Sequence, residues 1–345
     1  MTELGTFMRS EIAEQPEVFE RSLASAGRIE PIAEAIRDFQ PRFVLFAARG
    51  TSDHAALYGK YLFEIESGLP VGLMSPSSIT IYGAEPKLKD TLVIVISQSG
   101  GSPDLVETAR KARSCGGLVL GITNSPDSEL AHNVDLHIDV LAGVERAVAA
   151  TKSYSAQMLA LWILIKFLNR QDIASAQGLS KAAQEILSRH HEFESIAESL
   201  READRLILTG RGYSLPSALE AALKIAETSY FDAHAFSAAD LLHGPMAMVA
   251  NNTPVIAVSP PGVAQNSITP TLERLSETTS RLIVFGPSSQ SHFGSSSFTI
   301  DHSLPDDLSP LVEIIALQEV IVRMAIMRGH NPDAPRGLSK VTKTL

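Results

Sequence analysis

Four side chains able to donate to phosphate oxygens, Ser97, Gln98, Ser99 and Ser102, fall within six residues of the stretch VIVISQSGGSPDLVETARKA (93–112). An apolar, mostly β-branched run precedes them and a helical pattern follows, which predicts a strand, a turn and a helix. The first turn of a helix has unpaired N–H groups and a partial positive charge, so the chemistry on offer is anion binding. The nucleotide-binding versions are excluded, because neither a Lys after the second Gly nor a G-x-G-x-x-G pattern is present. On these residues alone the segment is either a phosphate site or an ordinary capped turn.

A second set lies in ALEAALKIAETSYFDAHAFSAADLLHGP (218–245). Glu220, Lys224 and Glu227 fall at i, i+4 and i+7 and share one helix face. That face is either a solvated ion-pair stripe or a carboxylate base with charged neighbours. His243, between an apolar pair and a Gly-Pro turn, is either structural or a group that exchanges protons near neutrality. The C-terminal RGHNPDAPRGLSKVTKTL places Lys340 and Lys343 on a Pro/Gly-punctuated tail, where mobility is the default expectation. None of the ten histidines stands in a metal-ligand spacing, so no metal is expected.

The elements that must position these groups are written twice. LFAARGTSDHAALYGKYLFE (45–64) and LILTGRGYSLPSALEAALKIAE (206–227) share an apolar run, Arg-Gly and a helical period. Ser75 and Ser97 lie 26 and 48 residues beyond Arg49, and Ser237 and Ser259 lie 26 and 48 beyond Arg211. Further strand candidates are LVLGIT (118–123) and LIVFG (282–286). Alternating strands and helices imply right-handed crossovers and parallel sheets covered on both faces. The expected fold is therefore α/β, with two tandem doubly wound, flavodoxin-like domains at 31–195 and 196–345 after an N-terminal helical segment, 1–30. Ligands bind such sheets outside the carboxyl ends of the strands, where the Ser/Thr turns lie. The second copy has VSPPGVAQ where the first has ISQSGGSP, so the first half is expected to hold the phosphate.

Composition narrows the function. A net charge of −10 argues against nucleic acid and anionic membranes as partners, but not against a small phosphorylated ligand held by neutral donors. The lone Cys115 excludes an intramolecular disulfide and fits a reducing, cytoplasmic setting. The apolar MLALWILIKFL (158–168) is too short to span a bilayer and predicts a buried core helix.

The combination of EIAEQPEVF (11–19), RGTSDHA, ISQSGGSPD, AVAATKSY, LLHGP and PRGLSK resembles the sugar isomerase (SIS) family, in particular the isomerase half of glucosamine-6-phosphate synthase. The resemblance implies that Thr51, Ser52, Ser97, Gln98, Ser99, Ser102 and Val148 bind the sugar phosphate. It makes Lys224 and Glu227 catalytic, with Glu227 moving a proton between C1 and C2. It gives His243 to ring opening, across the subunit interface of a homodimer, and Lys340 to a Schiff base with the open-chain ketose. The synthase has Cys in place of Arg49 and Ser in place of Ala150. It also has a glutamine-hydrolysing domain that starts with a Cys after the initiator Met, where this sequence has Thr2. The expected activity is therefore that of the SIS-type glucosamine-6-phosphate deaminases, giving fructose 6-phosphate and ammonia without a cofactor. A deaminase or deglycase of another amino-sugar 6-phosphate, or a non-catalytic sugar-phosphate sensor, are the alternatives.

Overall fold

The computed structural model describes residues 3–340, which fall into two compact units. The N-proximal unit comprises Glu17–Glu145 and Lys152–Ser175, joined by Ser339 and Lys340. Its sheet has five strands, β1 (Phe43–Ala47), β2 (Val71–Leu73), β3 (Thr91–Ile96), β4 (Leu118–Thr123) and β5 (Leu136–Asp139). They lie in the order β2-β1-β3-β4-β5 with every pair parallel. All six residues of β3 are buried, as expected of a central strand with apolar cover on both faces. Val44 of β1 and Leu118 of β4 both lie opposite its Leu92. The helix Thr51–Glu66 follows β1 and packs closely on it at Gly59, where a Cβ would come within 2.7 Å of the Phe46 ring. The MLALWILIKFL segment is part of the helix Lys152–Leu168, and Met158 to Ile165 are buried, as expected of a core helix. Among the described residues no helix is long and apolar enough to cross a membrane.

The C-proximal unit comprises the described residues up to Pro16, then Arg146–Thr151 and Ala176–Leu338. Its strands are β6 (Arg205–Gly210), β7 (Asp232–Ser237), β8 (Val255–Val258), β9 (Leu282–Gly286) and β10 (Ser296–Thr299). Their order, β7-β6-β8-β9-β10, repeats that of the first sheet strand for strand, and all pairs are again parallel. The helix Ser309–Met327 is buried around most of its circumference, consistent with its apolar sequence. It packs against the helices Thr6–Ala13, Leu179–Leu187, His190–Leu200 and Leu215–Ser229. Met8 and Ile12 of the first of these are fully buried.

The repeat expected from equal offsets is present as two parallel sheets of one topology, each flanked by helices. The fifth strand of each sheet, LHID and SSFT, was not expected, because each is short and only partly apolar.

Candidate active site

The chain passes from β1 outward to β2 and then back across to β3, so the strand order reverses between β1 and β3. Ligands of such sheets bind in the crevice at the carboxyl ends of these two strands. The turn after β1 and the turn after β3 flank it, and Arg49 ties them together. Its Nε and Nη2 lie 3.0 and 2.9 Å from Oδ2 of Asp104, at the start of the helix Pro103–Ser114.

Within the second turn Ser97 is anchored at the end of β3, donating its N–H to the Ile122 carbonyl at 3.0 Å. Gly100 has a φ of 63°, and a Cβ there would meet Ser128 Oγ at 2.1 Å, so the turn requires glycine on both grounds. Ser97 Oγ accepts from the Gly100 N–H at 3.1 Å and Ser99 Oγ from the Gly101 N–H at 3.3 Å. Accepting fixes each oxygen and leaves its own O–H to donate, the property a phosphate oxygen requires. The Gln98 backbone carbonyl accepts from Asn124 N at 3.0 Å. Ser102 is the N-cap of the following helix and makes no side-chain capping bond. Thr51 is the first residue of the helix after β1. Ser52 is buried, and its hydroxyl accepts from Gln157 Nε2 at 3.1 Å, a contact that binds two helices.

Lys340 belongs to the same unit. Its Nζ lies 2.8 Å from Glu145 Oε2, and the Glu145 side chain is fully buried. Ser153 completes the cradle, donating its N–H and its hydroxyl to the two Glu145 oxygens at 3.0 and 2.7 Å. The lysine is thus docked rather than loose, with its amine engaged by a carboxylate. Lys343 and the rest of VTKTL lie outside the described residues.

In the C-proximal unit the face expected to be solvated or catalytic is buried. On the helix Leu215–Ser229, Glu220 and Lys224 are at most 1% exposed, whereas the Glu227 side chain is 22% exposed. Lys224 Nζ reaches Glu227 Oε2 at 2.5 Å and Glu220 Oε1 at 3.4 Å. Burial alone would lower the Lys224 pKa, but the two carboxylates outweigh it and raise the ammonium above its usual value. The result is a permanent cation that orients Glu227, the member of the triad open to solvent.

Helix Leu215–Ser229 is fixed at its start by Glu313, which accepts from Ser214 Oγ at 2.7 Å and Ser217 Oγ at 3.0 Å. Burial pushes the Glu313 carboxyl up to about 7, with the two serine bonds pulling the other way. His243 caps the short helix Ala238–Leu242 and is exposed, beside exposed Leu242 and Met248. Among the described residues no hydrogen bond or ion pair joins its ring to Lys224 or Glu227. Val148 is half-buried and donates its N–H to the Asp333 carbonyl at 3.3 Å. No cluster of three metal-ligating side chains occurs among the described residues.

Sequence reasoning missed Glu145 and Glu313. The available signal was an isolated acid in an apolar setting, most clearly in SPLVEIIAL (309–317), since a lone charge there must find a partner or change its protonation.

Comparisons with known proteins bear on the fold and the family. Glutamine–fructose-6-phosphate aminotransferase (isomerizing) of Pyrococcus horikoshii is 33% identical over 343 residues, covering 97% of this chain and 57% of the relative. The chain thus spans less than two thirds of that relative's length. The C-terminal domain of glucosamine-fructose-6-phosphate aminotransferase from Francisella tularensis has a TM-score of 0.82 at 28% identity, over 95% of this chain and 98% of that one. Glucosamine-6-phosphate deaminase from Thermotoga maritima has a TM-score of 0.78 at 21% identity, over 98% and 100% of the two chains, a likeness of fold alone. The SIS domain family matches residues 39–166 and 199–327, one match on each parallel sheet. With well over half of its length matched, the chain belongs to the SIS domain family.

Proposed function

We propose that this chain is a phosphosugar isomerase acting on amino sugars, specifically a glucosamine-6-phosphate deaminase. The observation that carries the reading is the buried triad of Glu220, Lys224 and Glu227, which leaves one carboxylate facing solvent. An aldose–ketose shift needs one base that can serve two adjacent carbons, and a carboxylate on a rigid helix suits that task. The serine turn supplies neutral donors for a phosphate, the non-reacting handle whose binding energy orients the sugar.

In this mechanism Glu227 takes the C2 proton of the open-chain amino aldose and returns it to C1. The 2-amino group becomes a ketimine, water adds at C2, and ammonia leaves to give fructose 6-phosphate. Lys224 holds Glu227 in place. Lys340, engaged by Glu145, stabilises the open chain by charge. His243 opens the ring in the active site of a second subunit, a role that its exposure beside Leu242 and Met248 supports.

Ammonia release across a panel of hexosamine 6-phosphates, with chelator present and glutamine absent, tests the reading. Turnover of glucosamine 6-phosphate is expected. Preference for the galactosamine isomer would move the assignment to the neighbouring substrate, and turnover only with added glutamine would overturn it. Mixing His243→Ala with Glu227→Gln subunits tests the shared site, and no recovery despite demonstrated subunit exchange would count against it.

A further inference from the structure

The EIAEQPEVF stretch took part in the family resemblance without a role of its own. Its first residue, Glu11, lies on the helix Thr6–Ala13 of the C-proximal unit and is only 3% exposed. Glu11 Oε1 accepts the backbone N–H groups of Arg146 and Ala147, and its Oε2 lies 3.3 Å from the latter nitrogen. One residue on, the Val148 N–H goes to the Asp333 carbonyl. Asp333 also caps the Glu11 helix, its carboxylate accepting from Phe7 N at 3.0 Å and Met8 N at 2.8 Å. Asn331 Oδ1 accepts from Gly5 N at 3.2 Å. Helix, loop and tail therefore form a closed ring of hydrogen bonds within one unit.

The 146–148 segment lies outside any helix or strand, so its peptide groups need partners from elsewhere in the chain. Glu11 provides two such bonds from 135 residues away, and bonds to a carboxylate are roughly twice as strong as neutral ones. The segment also directly follows Glu145, the partner of Lys340.

We infer that Glu11 is a positioning residue, holding residues 146–148 in place and so fixing where the chain leaves Glu145, the carboxylate that engages Lys340. This rests on the phosphosugar reading above. Glu11 touches no substrate in this account and acts only through the loop.

The test compares Glu11→Ala, Glu11→Asp, Glu11→Gln and Met8→Ala in the full chain. It measures kcat and KM for ammonia release from glucosamine 6-phosphate, the Tm, and hydrogen exchange at the Arg146 and Ala147 amides. Glu11→Ala should raise KM about tenfold or more, the equivalent of losing one hydrogen bond to a charged group. It should also speed exchange at both amides. Glu11→Asp, too short to reach both N–H groups, should behave alike and serves if the alanine variant does not fold. Glu11→Gln keeps a carbonyl acceptor and should restore most of the affinity. Met8→Ala, which truncates the same helix in its core, should lower the Tm and leave KM unchanged. An unchanged KM in both Glu11→Ala and Glu11→Asp, or an equal rise in Met8→Ala, would reduce Glu11 to a structural contact and overturn the inference. Absence of turnover in the unsubstituted protein would instead overturn the functional reading, and this inference with it.

Discussion

The turns after β3 and β8 share a backbone but differ in what occupies them. Gly100 and Gly262 sit three residues beyond Ser97 and Ser259, and their φ values are 63° and 62°. In the first turn, neutral serine hydroxyls take up the N–H groups. In the second, Asp306 Oδ2 accepts from Val263 N at 3.1 Å, and a Cβ on Gly262 would come within 1.9 Å of that same oxygen. The buried Ser259 hydroxyl has no hydrogen-bond partner among the described residues. A turn satisfied by the chain's own carboxylate repels a phosphate, whereas one satisfied by hydroxyls keeps donors to offer. The two copies of one fold thus offer different chemistry at the same turn, hydroxyls in the first and a carboxylate in the second.

Five substitutions sharpen or break that comparison. The largest effect is expected from Glu227→Gln, which keeps the shape and removes the proposed base. Activity should fall by about 10²- to 10⁴-fold with hexose 6-phosphate binding intact. Exchange of the C2 hydrogen with deuterated water checks it, and exchange at the normal rate would move the chemistry to another residue.

Glu313→Gln comes next and is read in stability. The folded-state carboxyl titrates near 7, whereas the unfolded one titrates near its ordinary value of 4.5. The stability contributed by this group should therefore be fully present below the unfolded value, decline between about pH 4.5 and 7 and level off above that. The glutamine variant should lose this dependence and stand up to about 3 kcal/mol more stable, relative to the carboxylate, above pH 7. Denaturant titrations at pH 5 and pH 8 measure it. Parallel behaviour of the two proteins would show that Glu313 is not the titrating group.

The matched pair Ser99→Ala and Ser259→Ala tests the turns directly. The first should weaken hexose 6-phosphate binding about ten- to a hundredfold, since a hydrogen bond to a charged group contributes roughly 1.5–3 kcal/mol. The second should leave binding unaltered by calorimetry. Equal losses would mean that both turns bind phosphate. The smallest effect is expected from Asp306→Ala, which removes a capping carboxylate. The cost should be about 1 kcal/mol, seen as a lower Tm with unchanged ligand affinity.

Much of this was legible in the sequence because it is local. A β-branched run ending in Ser-x-Ser-Gly exposes both the strand and its anion-ready turn, and equal offsets expose the duplication. The i, i+4, i+7 spacing placed Glu220, Lys224 and Glu227 on one face, but periodicity does not say what covers that face, so solvent and core remained open. Contacts between distant residues were beyond reach. Glu313 finds Ser214 across 99 positions and Glu11 finds Arg146 across 135, with no periodic pattern to announce either. The Asp306 lodged over Gly262 was hidden for the same reason.

The helix Ser309–Met327 carries a consequence for how the protein is made. It is the element against which the helix Thr6–Ala13 buries Met8 and Ile12, yet some 295 residues separate the two in the order of synthesis. On the ribosome the first helix therefore emerges long before its packing surface exists, and its apolar side chains wait in solvent or on a chaperone. A pause in translation before residue 309 would hold the nascent chain with these side chains uncovered, and the C-proximal core can close only after the helix Ser309–Met327 has emerged.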